Sequence, residues 1–105
     1  MSDRARRVHP NLVNDIAEAI AYYGAQDGEL PGRFIEAYAA SLRRIEEYPL
    51  MGREYLLGYR RVVVLPFPYL LAYAVDDDGI YIAALLHVRR DPATNETILR
   101  SRPPA

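Results

Sequence analysis

The chain has 105 residues, a net charge of −1, 50% hydrophobic and 26% charged residues, which is the make-up of one folded domain over 1–105 and not of a disordered segment. With no cysteine and two histidines, disulfides, thiolate chemistry and a histidine-rich metal cluster are excluded. The near-neutral charge argues against coating nucleic acid by bulk charge, and no direct sequence-specific DNA binding is expected. All 13 basic residues are arginine, a side chain that grips carboxylates and phosphates with a planar fork. Residues 1–7 are basic, but no apolar run follows them, so no signal peptide is expected. The longest apolar stretch, Val62 to Val75, is split by Pro66 and Pro68 and falls short of the roughly 20 residues of a spanning helix. A soluble, cytoplasmic protein without a membrane partner is the expectation.

Arg4 to Val8 is a short candidate strand. His9-Pro10-Asn11 then offers a helix start, with proline favoured in the first turn. Leu12, Ile16, Ile20 and Tyr23, with Val13 and Ala17 beside them, recur at helical spacing and predict one apolar face. Gly24 and Gln26-Asp27-Gly28 end that helix. Pro31 opens a second one, whose stripe is Phe34, Tyr38, Leu42 and Ile45, supported by Ile35 and Ala39. Tyr48-Pro49 closes it, because a residue before proline avoids helical backbone. The two helices form a hairpin.

From Tyr59 the period changes to that of strands. Tyr59 to Leu65, Tyr69 to Val75 and Ile80 to Val88 are predicted strands, with Pro66-Phe67-Pro68 as the first connection. Asp76-Asp77-Asp78-Gly79 is a solvated hairpin turn, with no oxygen-ligand spacing for a metal. Strict alternation puts Tyr73, Val75, Ile80 and Ile82 on one face, and Leu70, Ala72, Tyr81, Ala83, Leu85 and His87 on the other. The tail, 93–105, is expected to be loosely ordered. The predicted class is α+β, in the order β-α-α-β-β-β: an antiparallel sheet with an N-terminal helical hairpin packed on one face.

That order, with the residues at its junctions, resembles the ParE/RelE superfamily of toxins from type II toxin–antitoxin systems. The pieces that carry the resemblance are Asn14-Asp15-Ile16 leading to Ala21-Tyr22-Tyr23, Tyr48-Pro49 with Gly52-Arg53, and Gly58-Tyr59-Arg60. Phe67-Pro68-Tyr69 with Tyr73 and the closing His87-Val88-Arg89-Arg90-Asp91-Pro92 complete them. The resemblance spans most of the chain and leans to the ParE side. It implies a small bacterial toxin without a cofactor, held inactive by an antitoxin encoded beside it. ParE-type members block DNA gyrase and trap it on cleaved DNA, whereas RelE-type members cut mRNA on the ribosome.

Cutting RNA needs a base for the 2′-hydroxyl, charge stabilisation for the phosphorane and an acid for the leaving oxygen. His87, Arg89 and Arg60 are the candidate catalytic set. The RelE pattern also implies an arginine where this chain has Leu70, and a tyrosine after the last strand where it has Thr94, Asn95 and Glu96. With those groups missing, the gyrase reading is preferred, with Arg89, Arg90 and Arg60 as candidate target contacts. An mRNA endoribonuclease and an inactive, antitoxin-binding relative are the alternatives. A second candidate site follows from the sheet face left open in this reading. Leu70, Ala72, Tyr81, Ala83 and Leu85 would form an apolar patch there, fit to receive the antitoxin.

Overall fold

The computed structural model describes residues 6–104; Arg4 and Ala5 of the expected opening strand lie outside them. The described elements are β1 (Arg6–Val8), α1 (Leu12–Gly24), α2 (Leu30–Glu47), β2 (Arg53–Glu54), β3 (Arg60–Val63), β4 (Tyr69–Asp76), β5 (Gly79–His87) and α3 (Pro92–Arg100). The sheet has five strands in the order β1-β5-β4-β3-β2. Its neighbours are antiparallel except β1, which lies parallel to β5 with Arg6 opposite Ile80 and Val8 opposite Ile82. A strand followed by a helical hairpin returns to the far end of the sheet, so parallel entry is its natural geometry. The α+β class stands, as a mixed rather than a purely antiparallel sheet.

On one face, Leu12, Ala19 and Tyr23 of α1 and Phe34 and Ile45 of α2 bury against Val62, Leu71, Tyr73, Ile80 and Ile82. Phe67 and Tyr69 join Tyr23 and Phe34 in edge-to-face contacts with ring centroids 4.9 to 6.1 Å apart, the favoured arrangement of aromatic pairs. The inward stripe of α1 therefore runs through Ala19. Val13, which the spacing placed beside the apolar face, is 66% exposed.

The largest departure from expectation is on the other face. Residues 93–105 were expected to be loose, but Asp91 caps a helix there. Its carboxylate accepts the Ala93 N–H at 3.2 Å, and Pro92 occupies the first turn, a pairing that suits a helix start. Leu99 and Ile98 of α3 pack on Tyr59, Leu70, Ala72, Tyr81, Ala83, Ala84 and Leu86. The sheet is thus covered on both faces. The patch offered above to an antitoxin is interior: Leu70 and Tyr81 are 2% and 3% exposed, and Ala72 and Ala83 are fully buried. That assignment is withdrawn.

The sheet also breaks its own alternation. Ala72 pairs with Ala84 while Tyr73 pairs with Ile82, so Ala83 is an extra residue on β5, a β-bulge. Beyond it every side chain changes face. Leu85, expected beside Ala83, instead joins the helical-hairpin core, and His87 follows it to that side.

Candidate functional site

The bulge leaves backbone groups of β5 unpaired where β1 has already ended, and one ion pair takes them up. The Leu85 N–H donates to Asp15 Oδ2 of α1 at 3.1 Å, and the Ala83 carbonyl accepts from Arg102 Nη1 at 3.1 Å. Arg102 and Asp15 meet as a two-pronged pair, Nη1 to Oδ2 at 2.6 Å and Nη2 to Oδ1 at 3.1 Å. The two side chains are only 10% and 15% exposed. The hydroxyls of Tyr59 and Tyr81 both donate to the Arg102 carbonyl, at 2.9 and 2.7 Å. Burial raises both phenol pKa values, so the hydroxyls stay protonated donors at neutral pH. Residues after α3 are therefore clasped to the first helix across the edge of the sheet.

Next to this clasp, the end of β5 opens into a cavity of about 300 Å³ lined by Asp15, Glu18, Tyr22, Tyr69, His87 and Arg90 among others. His87 Nδ1 accepts the Arg89 N–H at 3.1 Å, and the His87 ring lies edge-on to Tyr69 with centroids 5.1 Å apart. With Nδ1 engaged as acceptor, the proton of the neutral ring is assigned to Nε2. His87 thus shapes the exit from β5. The Tyr69 phenol is pushed up first by burial and then by Tyr22, against the pull of Arg90, which makes it a donor rather than a base.

Arg89 is exposed and Arg90 partly so. Neither pairs with Asp91 or Glu96: Asp91 caps α3, and Glu96 binds Arg100 at 2.8 Å. Among the described residues neither arginine has a carboxylate partner.

Arg60 sits elsewhere. Its Nη1 donates to the Gly52 carbonyl at 2.8 Å and the Leu50 carbonyl at 3.2 Å, holding the segment after α2. Arg60 pairs with Tyr73 on one side of β4, and His87 pairs with Tyr69 on the other. Four residues of strand separate them, about 13 Å, and two strand spacings, about 10 Å. His87, Arg89 and Arg60 are therefore not one catalytic constellation.

Arg60 has a partner in its work. The Tyr73 hydroxyl donates to the Pro49 carbonyl at 2.7 Å and accepts the Gly52 N–H at 3.0 Å. Gly52 is required here because a Cβ would stand 2.4 Å from that hydroxyl. The segment 49–53 is fixed by these bonds, and it walls a second cavity of about 380 Å³ lined by Arg44, Met51, Arg53, Arg61, Val63 and Leu65 among others. Gly52-Arg53, which carries part of the family resemblance, lies in this segment, but the sequence alone does not reveal the groove. The nearest signal was Leu50 and Met51, two large apolar residues in a stretch with no strand or helix period.

No helix among the described residues is long and apolar enough to cross a membrane. The family model described as "ParE toxin of type II toxin-antitoxin system, parDE" matches residues 7–92. Toxin ParE2 of Mycobacterium tuberculosis, in strains CDC 1551 and H37Rv alike, is 29% identical over 100 residues that cover 94% of this chain and 95% of the relative. A solved structure titled as the chromosomal ParDE system from P. aeruginosa shares the fold, with a TM-score of 0.71 at 13% identity over 81% of this chain and 96% of that one. With most of its length matched by that model, this chain belongs to the ParE toxin family of type II toxin–antitoxin systems.

Proposed function

We propose that this toxin arrests growth by blocking DNA gyrase, and that Arg89 and Arg90 make the contact with it. The observation that carries the reading is the turn after β5. It presents two guanidinium groups that no carboxylate among the described residues neutralises, on a backbone fixed by His87. Unpaired arginines on a rigid turn lose little entropy on meeting an acidic or phosphate surface. Arg60, spent on two carbonyls, supports the fold and drops out of the contact set. The separation of Arg60 from His87 weighs against an endoribonuclease.

Induction in bacteria without antitoxin tests the reading, with pulse-labelling of DNA and protein over the first minutes. DNA synthesis is expected to stop first. The paired reversal Arg89→Glu with Arg90→Glu is expected to relieve the arrest while the protein still folds and still binds its antitoxin. Translation stopping first, with mRNA cut, would overturn the proposal. A folded protein that changes neither synthesis would be an antitoxin-binding relative without toxicity.

A further inference from the structure

Glu18 and Arg90 line the cavity at the end of β5 without pairing with each other. We propose that this cavity takes an unpaired guanine nucleotide. The Glu18 carboxylate would accept the N1–H and N2–H of the base, the Tyr22 ring would stack on it, and Arg90 would hold the phosphate. The inference goes beyond the gyrase reading and does not depend on it, because this chain alone binds the ligand.

The charges come first. Two carboxylates line the cavity, but only one is free. Asp15 gives both oxygens to Arg102 and accepts the Leu85 N–H besides. Glu18 has no ion-pair partner among the described residues, and neither has Arg90. Both act on the Tyr69 phenol, in opposite directions, so the two charges flank one space. Each backbone is held: Glu18 lies within α1, and the Arg90 N–H donates to the His87 carbonyl at 3.1 Å. A ligand between them needs donors at one end and an anion at the other.

Tyr22 supplies the flat wall. It follows Glu18 by one helical turn, on the same side of α1. The residue is 60% exposed, and its ring stands edge-to-face on buried Tyr23 with centroids 5.2 Å apart. An exposed, steadied ring beside a free carboxylate is a stacking platform for a base. A zwitterionic amino acid would satisfy both charges but leave that ring without a partner. The cavity, about 300 Å³, is at the small end of ligand sites and suits one base with its phosphate at the rim.

The carboxylate selects which base. Guanine alone carries two adjacent donors on its Watson–Crick edge, and one carboxylate can accept both. Adenine, cytosine and uracil each place an acceptor beside their donor, which Glu18 would repel. Guanine O6 finds donors in the same cavity: the Tyr69 hydroxyl, kept protonated by burial, and the His87 Nε2–H. That edge is hidden in a duplex, so the occupant is a free nucleotide or an unpaired base of a strand.

The test is an NMR titration of the full-length chain, without gyrase, against GMP, guanosine, AMP and two pentanucleotides, TTGTT and TTTTT. GMP is expected to bind about tenfold or more tighter than AMP, with shifts centred on Glu18, Tyr22 and Arg90. Glu18→Gln should remove that preference by weakening GMP about tenfold or more. Tyr22→Leu should weaken it about fivefold or more. Arg90→Gln should bring GMP down to the affinity of guanosine and leave guanosine within about twofold. Glu36→Gln, exposed on α2, is the charge control and should change nothing beyond about twofold.

TTGTT binding about tenfold or more tighter than both GMP and TTTTT would support the site and assign it to a strand. GMP binding as tightly as TTGTT would support it as a site for the free nucleotide. Equal affinity for AMP and GMP, or unchanged GMP binding by folded Glu18→Gln, would overturn the guanine assignment. No saturable shift at the cavity with any of the guanine ligands at millimolar concentration would overturn the site itself, while leaving the gyrase reading to its own test.

Discussion

Arg102→Ala is expected to destabilise the fold by about 3 kcal/mol, at the low end of what breaking a buried ion pair costs. The substitution strands the Asp15 carboxylate in a site where it is 15% exposed, and it removes the donor to the Ala83 carbonyl at the bulge. The main-chain carbonyl of residue 102 can still accept from Tyr59 and Tyr81, so the tail loosens without α3 being lost. Asp15→Asn is expected to act in the same direction. In a double-mutant cycle the two substitutions should show a coupling of about 2 kcal/mol, because each removes the same interaction. Arg100 gives the contrast. It forms an exposed pair with Glu96 one helical turn away, and Arg100→Ala should cost no more than about 0.5 kcal/mol. Urea unfolding of the three variants checks the ranking. Equal stability of Arg102→Ala and Arg100→Ala would mean that the clasp does not hold the tail.

Gly52→Ala is expected to be as damaging, for a steric reason. The added methyl would stand 2.4 to 2.9 Å from three atoms of Tyr73, and that ring is fully buried and cannot swing aside. The methyl must push segment 49–53 away from β4. The bonds from the Tyr73 hydroxyl to Pro49 and Gly52 would be strained or lost, leaving a buried hydroxyl unsatisfied. Overpacking and that lost pairing together are expected to cost about 3 kcal/mol, or on the order of 15 °C in Tm for a domain of this size. Tyr73→Phe relieves the hydroxyl clash while keeping the ring. It should therefore recover part of the stability lost by Gly52→Ala, although it is destabilising alone. A thermal melt of the single and double variants decides this, and additive losses would contradict the geometry.

The helical hairpin and the three long strands were legible because their apolar residues keep a clear period, with Pro31, Pro49 and Asp78-Gly79 as boundaries. The bulge was not. Ile82 to Leu86 is a continuous apolar run, so nothing in it marks the residue at which the alternation slips. One missed slip then moved Leu85 and His87 to the wrong face. The third helix was hidden for a related reason. Its sequence, Pro92 to Arg100, has few apolar positions, of which Ile98 and Leu99 pack on the sheet. The signal that could have found it was Asp91-Pro92, a capping residue before a helix-opening proline. Overlooking it made a buried sheet face look like a free docking surface. Arg60 was misread for want of contact information: strand position gave its face, but not the carbonyls of the preceding loop.

Purified protein added to DNA gyrase and supercoiled plasmid tests the proposed target most directly. The account predicts that supercoiling is inhibited and that cleaved plasmid accumulates in proportion to toxin, and that the Arg89→Glu, Arg90→Glu protein does neither while its fold is intact. Gyrase that works unimpeded at a large excess of folded toxin would contradict it.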